Sequence, residues 1–165
     1  MKEFFEKIDF NRILRYTLFL FLTLMFQNMV LSHFRLLDVS PLVLPAAVTA
    51  VGMFEGATWG PMFGLVMGYF ADMSFVEHDI FFVVVLPMLG LLSAFVSHFF
   101  INRRFFAFMG VSLLTLLITA LLQMFKTLAG DVWSSDMLVV AVLQTLWSLP
   151  FAALTYPLPA RWSRE

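Results

Sequence analysis

Three ionisable side chains, Glu55, Asp72 and Lys126, stand closest to apolar sequence. An ionisable group at membrane depth is costly, so each needs a partner, water or a function. Asp72 and Lys126 fall near the same outer end of two apolar stretches, 59–75 and 105–128. Their matching depth allows two arrangements. Asp72 neutralises Lys126 or caps the outer turn, locking the third stretch to the fifth; or Lys126 snorkels to headgroups and Asp72 is hydrated. Glu55 lies in the turn between 41–54 and 59–75, where a solvated or headgroup-facing position is expected. Ser112, Thr115, Thr119, Gln123 and Thr127 recur mostly four apart and so share one helical face; Gln144, Thr145 and Ser148 add to it from the last stretch. Carrying no charge, this stripe reads as interhelical hydrogen bonding rather than a transport path.

Chemistry beyond packing has little to draw on. His33 and His78 lie in outer loops, and His98 near the opposite end of the fourth stretch. Glu77-His78-Asp79 offers adjacent ligand types, but neighbours in a loop do not converge on a tetrahedral metal without distant partners. No Gly-x-Ser-x-Gly, Walker A or His-Glu-x-x-His pattern occurs. The chain has no cysteine, which removes disulfides, thiolate metal sites and cysteine nucleophiles. The expectation is a protein with no catalytic residues, no metal and no cofactor.

The strongest pattern is a ladder of glycines at every fourth position: Gly52, Gly56, Gly60, Gly64 and Gly68, ending on Asp72. Interior glycine weakens a water-exposed helix by about 1 kcal/mol each relative to alanine. In lipid, close backbone approach through small residues becomes a main source of helix association. Four-residue steps drift by about 40° each, so Gly60, Gly64 and Gly68 make the compact face, while Gly52 and Gly56 end the preceding stretch and its turn. That face packs either against another helix of the same chain or against a partner.

The elements that must position these residues follow from composition. Of 165 residues, 61% are hydrophobic and 13% charged, and mean hydropathy is +0.91. That is an integral membrane composition. The net charge of −1, with no basic run, gives nucleic-acid binding no support. Residues 1–165 read as one polytopic all-α membrane domain with six transmembrane helices, at about 13–31, 41–54, 59–75, 80–101, 105–128 and 137–158. The first is read as a retained anchor, since no small-x-small cleavage site follows Val30. The second is short and carries Pro45, so it is tilted, broken or shielded by neighbours. Ser40-Pro41 and Gly60-Pro61 read as starts of the second and third helices. Pro87 and Pro150 predict kinks.

Orientation comes from positive charge. One side carries Lys2, Lys7, Arg12, Arg15, Arg103, Arg104, Arg161 and Arg164; the other carries only Arg35 and Lys126, with Asp38, Asp72, Glu77, Asp79, Asp131 and Asp136. The positive-inside rule places both termini in the cytoplasm.

With these features in order, the chain resembles the rod-shape-determining MreD family of the bacterial inner membrane. The resemblance rests on Val39-Ser40-Pro41-Leu42, an apolar stretch with Gly52 and Gly56, then Gly60-Pro61, Gly64, Gly68 and Asp72-Met73-Ser74, and on chain size, termini and the Arg103-Arg104 loop. Leu42 and Phe75 depart from the family pattern, which often has an acid after the loop proline and Ser-Gly after the aspartate. The resemblance implies a non-enzymatic scaffold that works with MreC, a single-span partner, and indirectly with MreB, RodA and its transpeptidase in lateral peptidoglycan synthesis, amid membrane lipids. It also implies a fold similar to the S components of energy-coupling-factor transporters, which supplies the alternative: a substrate-binding subunit for a vitamin or other small molecule. Such subunits commonly dock through small residues four apart in the first helix. Here residues 16–26 are bulky throughout, which counts against transport.

Overall fold

Residues 10–31, 33, 40–74, 80–99, 105–128 and 136–162 are described by a computed structural model, excluding the side chains of residues 10–13, 99, 125–128, 136 and 137. Among the described residues seven α-helices follow in order: α1 (Phe10–Met25), extended by a π-helical segment Phe26–Leu31, then α2 (Leu44–Glu55), α3 (Trp59–Ser74), α4 (Phe82–Phe99), α5 (Phe105–Leu128), α6 (Asp136–Thr155) and the short α7 (Pro157–Trp162). The described residues contain no strand. Among the described residues three segments, Leu14–Leu31, Phe105–Met124 and Leu138–Trp162, are long and apolar enough to cross a membrane. Leu44–Glu55 and Phe82–His98 are shorter apolar helices.

The organising element is α2. At 12 residues it is about 18 Å long, well short of the roughly 30 Å hydrocarbon core of a bilayer. Every residue from Leu44 to Phe54 is buried. A helix apolar on all sides belongs in the middle of a protein, and the small residues Ala46, Ala47, Ala50 and Gly52 let its neighbours close in. Leu44, Val48 and Val51 meet Tyr16, Phe19 and Leu20 of α1, Phe63 and Met67 of α3 and Leu86 and Leu89 of α4. Ala50, Met53 and Phe54 meet Phe108 of α5 and Ala160 of α7. Ala46 meets Leu116 of α5 and Ala152 of α6.

The start of α2 differs from the sequence expectation. The helix begins at Leu44, not at Pro41; Val43 precedes it, Pro45 lies in the first turn, and no side chain caps it. Residues 40–43 approach as buried, non-helical backbone, held by side chains from other helices as described below. Its end follows the glycine rule. Gly56 has φ 87° and ψ −168° and donates its N–H to Gly52 O. That region of backbone space is open essentially to glycine alone. Gly56→Ala should therefore lower stability in detergent by about 1–3 kcal/mol, read as a drop in thermal midpoint.

On α1, the buried positions Tyr16, Phe19, Leu20, Thr23, Gln27 and Leu31 form one stripe, while Leu14, Leu18, Phe21 and Leu22 face outward. Exposed Met62, Leu65, Tyr69 and Phe70 of α3, and Phe106, Val139 and Leu146 of α5 and α6, continue this apolar exterior. Both α4 and α6 remain helical through Pro87 and Pro150.

Candidate functional site

The glycine ladder lies inside the chain. Helices α3 and α4 run antiparallel, and each four-residue step up α3 meets a four-residue step back along α4. A β-carbon on Gly60 would stand 2.9 Å from Gly90 O, and one on Gly64 would stand 2.7 Å from Leu86 O. One on Gly68 would run into the carbonyl of Phe82. These are backbone atoms, which cannot swing aside. The face formed by Gly60, Gly64 and Gly68 is therefore taken by α4 of the same chain, and a partner's helix has no room there.

Two glycines complete the contact. Gly90, which the sequence reading passed over, meets Gly60 reciprocally: a β-carbon on it would stand 2.5 Å from Gly60 O. Gly52 rejoins the set as well. It stands against Gly60, whose β-carbon would lie 2.7 Å from Gly52 Cα, and against Gly90 O. The Gly56 turn folds α2 back on α3, so Gly52, Gly60 and Gly90 bring three backbones together at one level. Ser93 Oγ closes the same junction, donating to Gly90 O at 2.9 Å.

Asp72 ends the ladder with a cap. Its Oδ1 accepts the N–H of Phe82 at 3.0 Å and its Oδ2 that of Val83 at 2.9 Å. These first-turn N–H groups have no acceptor within α4, and a carboxylate at a helix N-terminus also meets the positive end of the dipole. Asp72 thus joins α3 to α4 at the far end of the glycine contact. Position 126 lies in α5, but the Lys126 side chain, and with it the Asp72–Lys126 pair, lies outside the described residues. So do the side chains of Asp38, Glu77, His78, Asp79, Asp131, Asp136, Arg103 and Arg104.

Three further polar side chains, Gln27, Gln144 and Ser148, serve the approach to α2. Gln27, placed by the π-helical segment, donates Nε2 to Pro41 O at 3.0 Å and accepts Val43 N–H on Oε1 at 2.9 Å. Ser148 Oγ accepts Leu42 N–H at 2.8 Å and donates to Gln144 O at 2.6 Å. Gln144 Nε2 donates to Ser40 O at 3.4 Å. Irregular backbone at membrane depth is tolerated only where protein satisfies it, and here α1 and α6 do so. Gln27→Leu leaves Val43 N–H and Pro41 O without partners. The expected loss is about 2–6 kcal/mol, from an orphaned-group cost of roughly 1–3 kcal/mol each, measured by thermal unfolding in detergent.

On α5, Ser112, Thr115 and Thr119 are buried. Thr115 Oγ1 pairs with Thr49 Oγ1 of α2 at 3.0 Å, and Thr119 donates to Thr115 O at 2.8 Å. The stripe therefore includes hydrogen bonding between helices. Ser112 Oγ and Trp147 Nε1 are buried without a hydrogen-bond partner. Glu55 is not a free turn residue. It is half-buried and accepts the Tyr16 hydroxyl from α1. Around Tyr16 gather Trp59, Phe63 and Trp162, with ring centroids 6.2, 6.4 and 5.4 Å away.

No family model, curated protein or solved structure matches the chain. The geometry stands by itself: among the described residues no three His, Asp or Glu side chains gather as a metal set. The carboxylates of Asp72 and Glu55 both accept hydrogen bonds that tie one helix to another.

Proposed function

We propose that the chain is a non-enzymatic scaffold of the bacterial inner membrane that binds an MreC-like single-span protein in the cell-elongation complex. In this reading six segments cross the membrane, the three long ones together with α3, α4 and α2 with its non-helical approach 40–43, and both termini are cytoplasmic, the side that the eight basic residues favour. The observation that carries it is a coincidence of residues. Gly64, Gly68 and Asp72, which carry the resemblance to the MreD family, are the residues that clamp α3 to α4. A scaffold needs a rigid frame and no reactive centre, and Asp72, Glu55, Gln27, Ser148 and Thr115 each hydrogen-bond from one helix to another element of the bundle. Because α4 covers the glycine face, the partner's helix docks on another surface.

Deletion in a rod-shaped host tests the reading. The scaffold role predicts rounded cells and loss of lateral peptidoglycan labelling, restored by the intact gene. Normal shape with defective vitamin uptake would instead assign the chain to the S-component-like role.

A further inference from the structure

The helices of the bundle differ in height. Helix α3 has 16 residues and α4 has 18, about 24 and 27 Å at a rise of about 1.5 Å per residue. Helix α6 has 20 and α5 has 24, about 30 and 36 Å. The hydrocarbon core of a bilayer is about 30 Å thick, so α5 and α6 match or exceed it while α3 and α4 fall short. We propose that the bilayer thins against the wall formed by α3 and α4, and that this wall gathers phospholipids with short acyl chains. The inference rests on the membrane setting of the reading above.

A helix that is too long for the bilayer fits by tilting. One that is too short must thin the bilayer, snorkel its flanking side chains or oligomerise. The sequence removes snorkelling. No Lys or Arg occurs from Leu36 to Asn102, a run that holds α2, α3 and α4. The long cationic side chains that can reach from a helix end to the headgroups are placed at the taller elements: Arg103 and Arg104 directly precede α5, Lys126 lies in its last turn, and Arg161 lies in α7. Nor can the wall gain height by sliding. Gly60, Gly64 and Gly68 lock α3 against the α4 backbone, and Asp72 ties the last turn of α3 to the first turn of α4, so the two helices are short together. The outward side chains of the wall are apolar, with Met62, Leu65 and Met73 of α3 and Met88 and Phe95 of α4 exposed. Tyr69 is exposed as well, about 15 Å along α3 from Trp59. Rings of this kind favour the two interfaces of a bilayer, and that spacing suits a thin one.

The chain has no cysteine, so a single nitroxide can be attached through Val66→Cys, midway along α3, or Leu146→Cys, midway along α6; both positions are exposed. The full chain is reconstituted into vesicles of dimyristoleoyl, dioleoyl or dierucoyl phosphatidylcholine, and label depth is read from relaxation by oxygen against a water-soluble nickel chelate. The label at 146 should deepen as the acyl chains lengthen. The label at 66 should stay at about 12 Å, half the height of α3, in all three lipids. In an equal mixture of the shortest and longest lipids, a benzophenone photocrosslinker at Leu65 should capture the short one by about twofold or more, while one at exposed Val139 of α6 captures both alike. A label at 66 that deepens in step with the label at 146 would overturn the proposal, as would equal capture of the two lipids at Leu65. So would a protein adduct at Leu65, which would show another chain covering the wall. Relaxation of both labels by the nickel chelate as in water would instead overturn the membrane reading on which the proposal rests.

Discussion

Replacing Gly64 or Gly68 with leucine should abolish recovery of folded protein from detergent, and even alanine at either position should lower stability. The β-carbon of Gly64→Ala would sit 2.7 Å from Leu86 O and 2.9 Å from Pro87 N, both backbone atoms of α4. Relief requires α3 and α4 to move apart along their whole contact. Overpacking in a well-filled core costs about 1–3 kcal/mol, and a site whose neighbours are all backbone belongs at the upper end. Gly110 of α5 supplies the control: a β-carbon there meets nothing within 4 Å, so Gly110→Ala should be neutral or slightly stabilising through helix propensity. The measurement is thermal unfolding monitored by size-exclusion recovery. A tolerated Gly68→Ala beside a damaging Gly110→Ala would contradict the α3–α4 contact.

Asp72→Ala should cost about 2–4 kcal/mol, combining two orphaned first-turn N–H groups with the loss of a charge at the α4 dipole. Asp72→Asn keeps one acceptor and should fall between alanine and wild type. The same series addresses Lys126. If the two side chains also pair, Lys126→Gln and Asp72→Asn will couple by more than about 0.5 kcal/mol in a double-mutant cycle; additive effects leave Asp72 as a cap alone. Lys126→Gln as damaging as Asp72→Ala, with Asp72→Ala losing no helicity at α4, would contradict the cap.

How far the sequence anticipated this can be read from single positions. Gly60, Gly64 and Gly68 repeat at the helical period, so their shared face was visible. Its partner was not: Gly90 is a lone glycine among large apolar residues, and carbonyls such as those of Leu86 and Phe82 belong to every residue type. The role of Asp72 was hidden for the same reason, because its acceptor atoms meet backbone N–H groups that no side-chain pattern announces. Lys126 drew notice as the one cation at matching depth.

At Ser40-Pro41 the local signal pointed to a helix start that tertiary contacts moved. Gln27 and Ser148 lie 16 and 106 residues from the backbone N–H groups they accept, Val43 and Leu42, and their hydrogen bonds support non-helical backbone until Leu44. Glu55 was expected to face water or headgroups because a turn usually does. Tyr16, 39 residues earlier, reaches it instead. The shortness of α2 was legible; that it forms the centre of the molecule follows only from three-dimensional burial.

Affinity purification from native membranes in mild detergent tests the central claim most directly. The scaffold account predicts recovery of an MreC-like single-span protein together with the intact chain. Recovery of ATPase subunits in its place would contradict the account and assign the fold to small-molecule uptake.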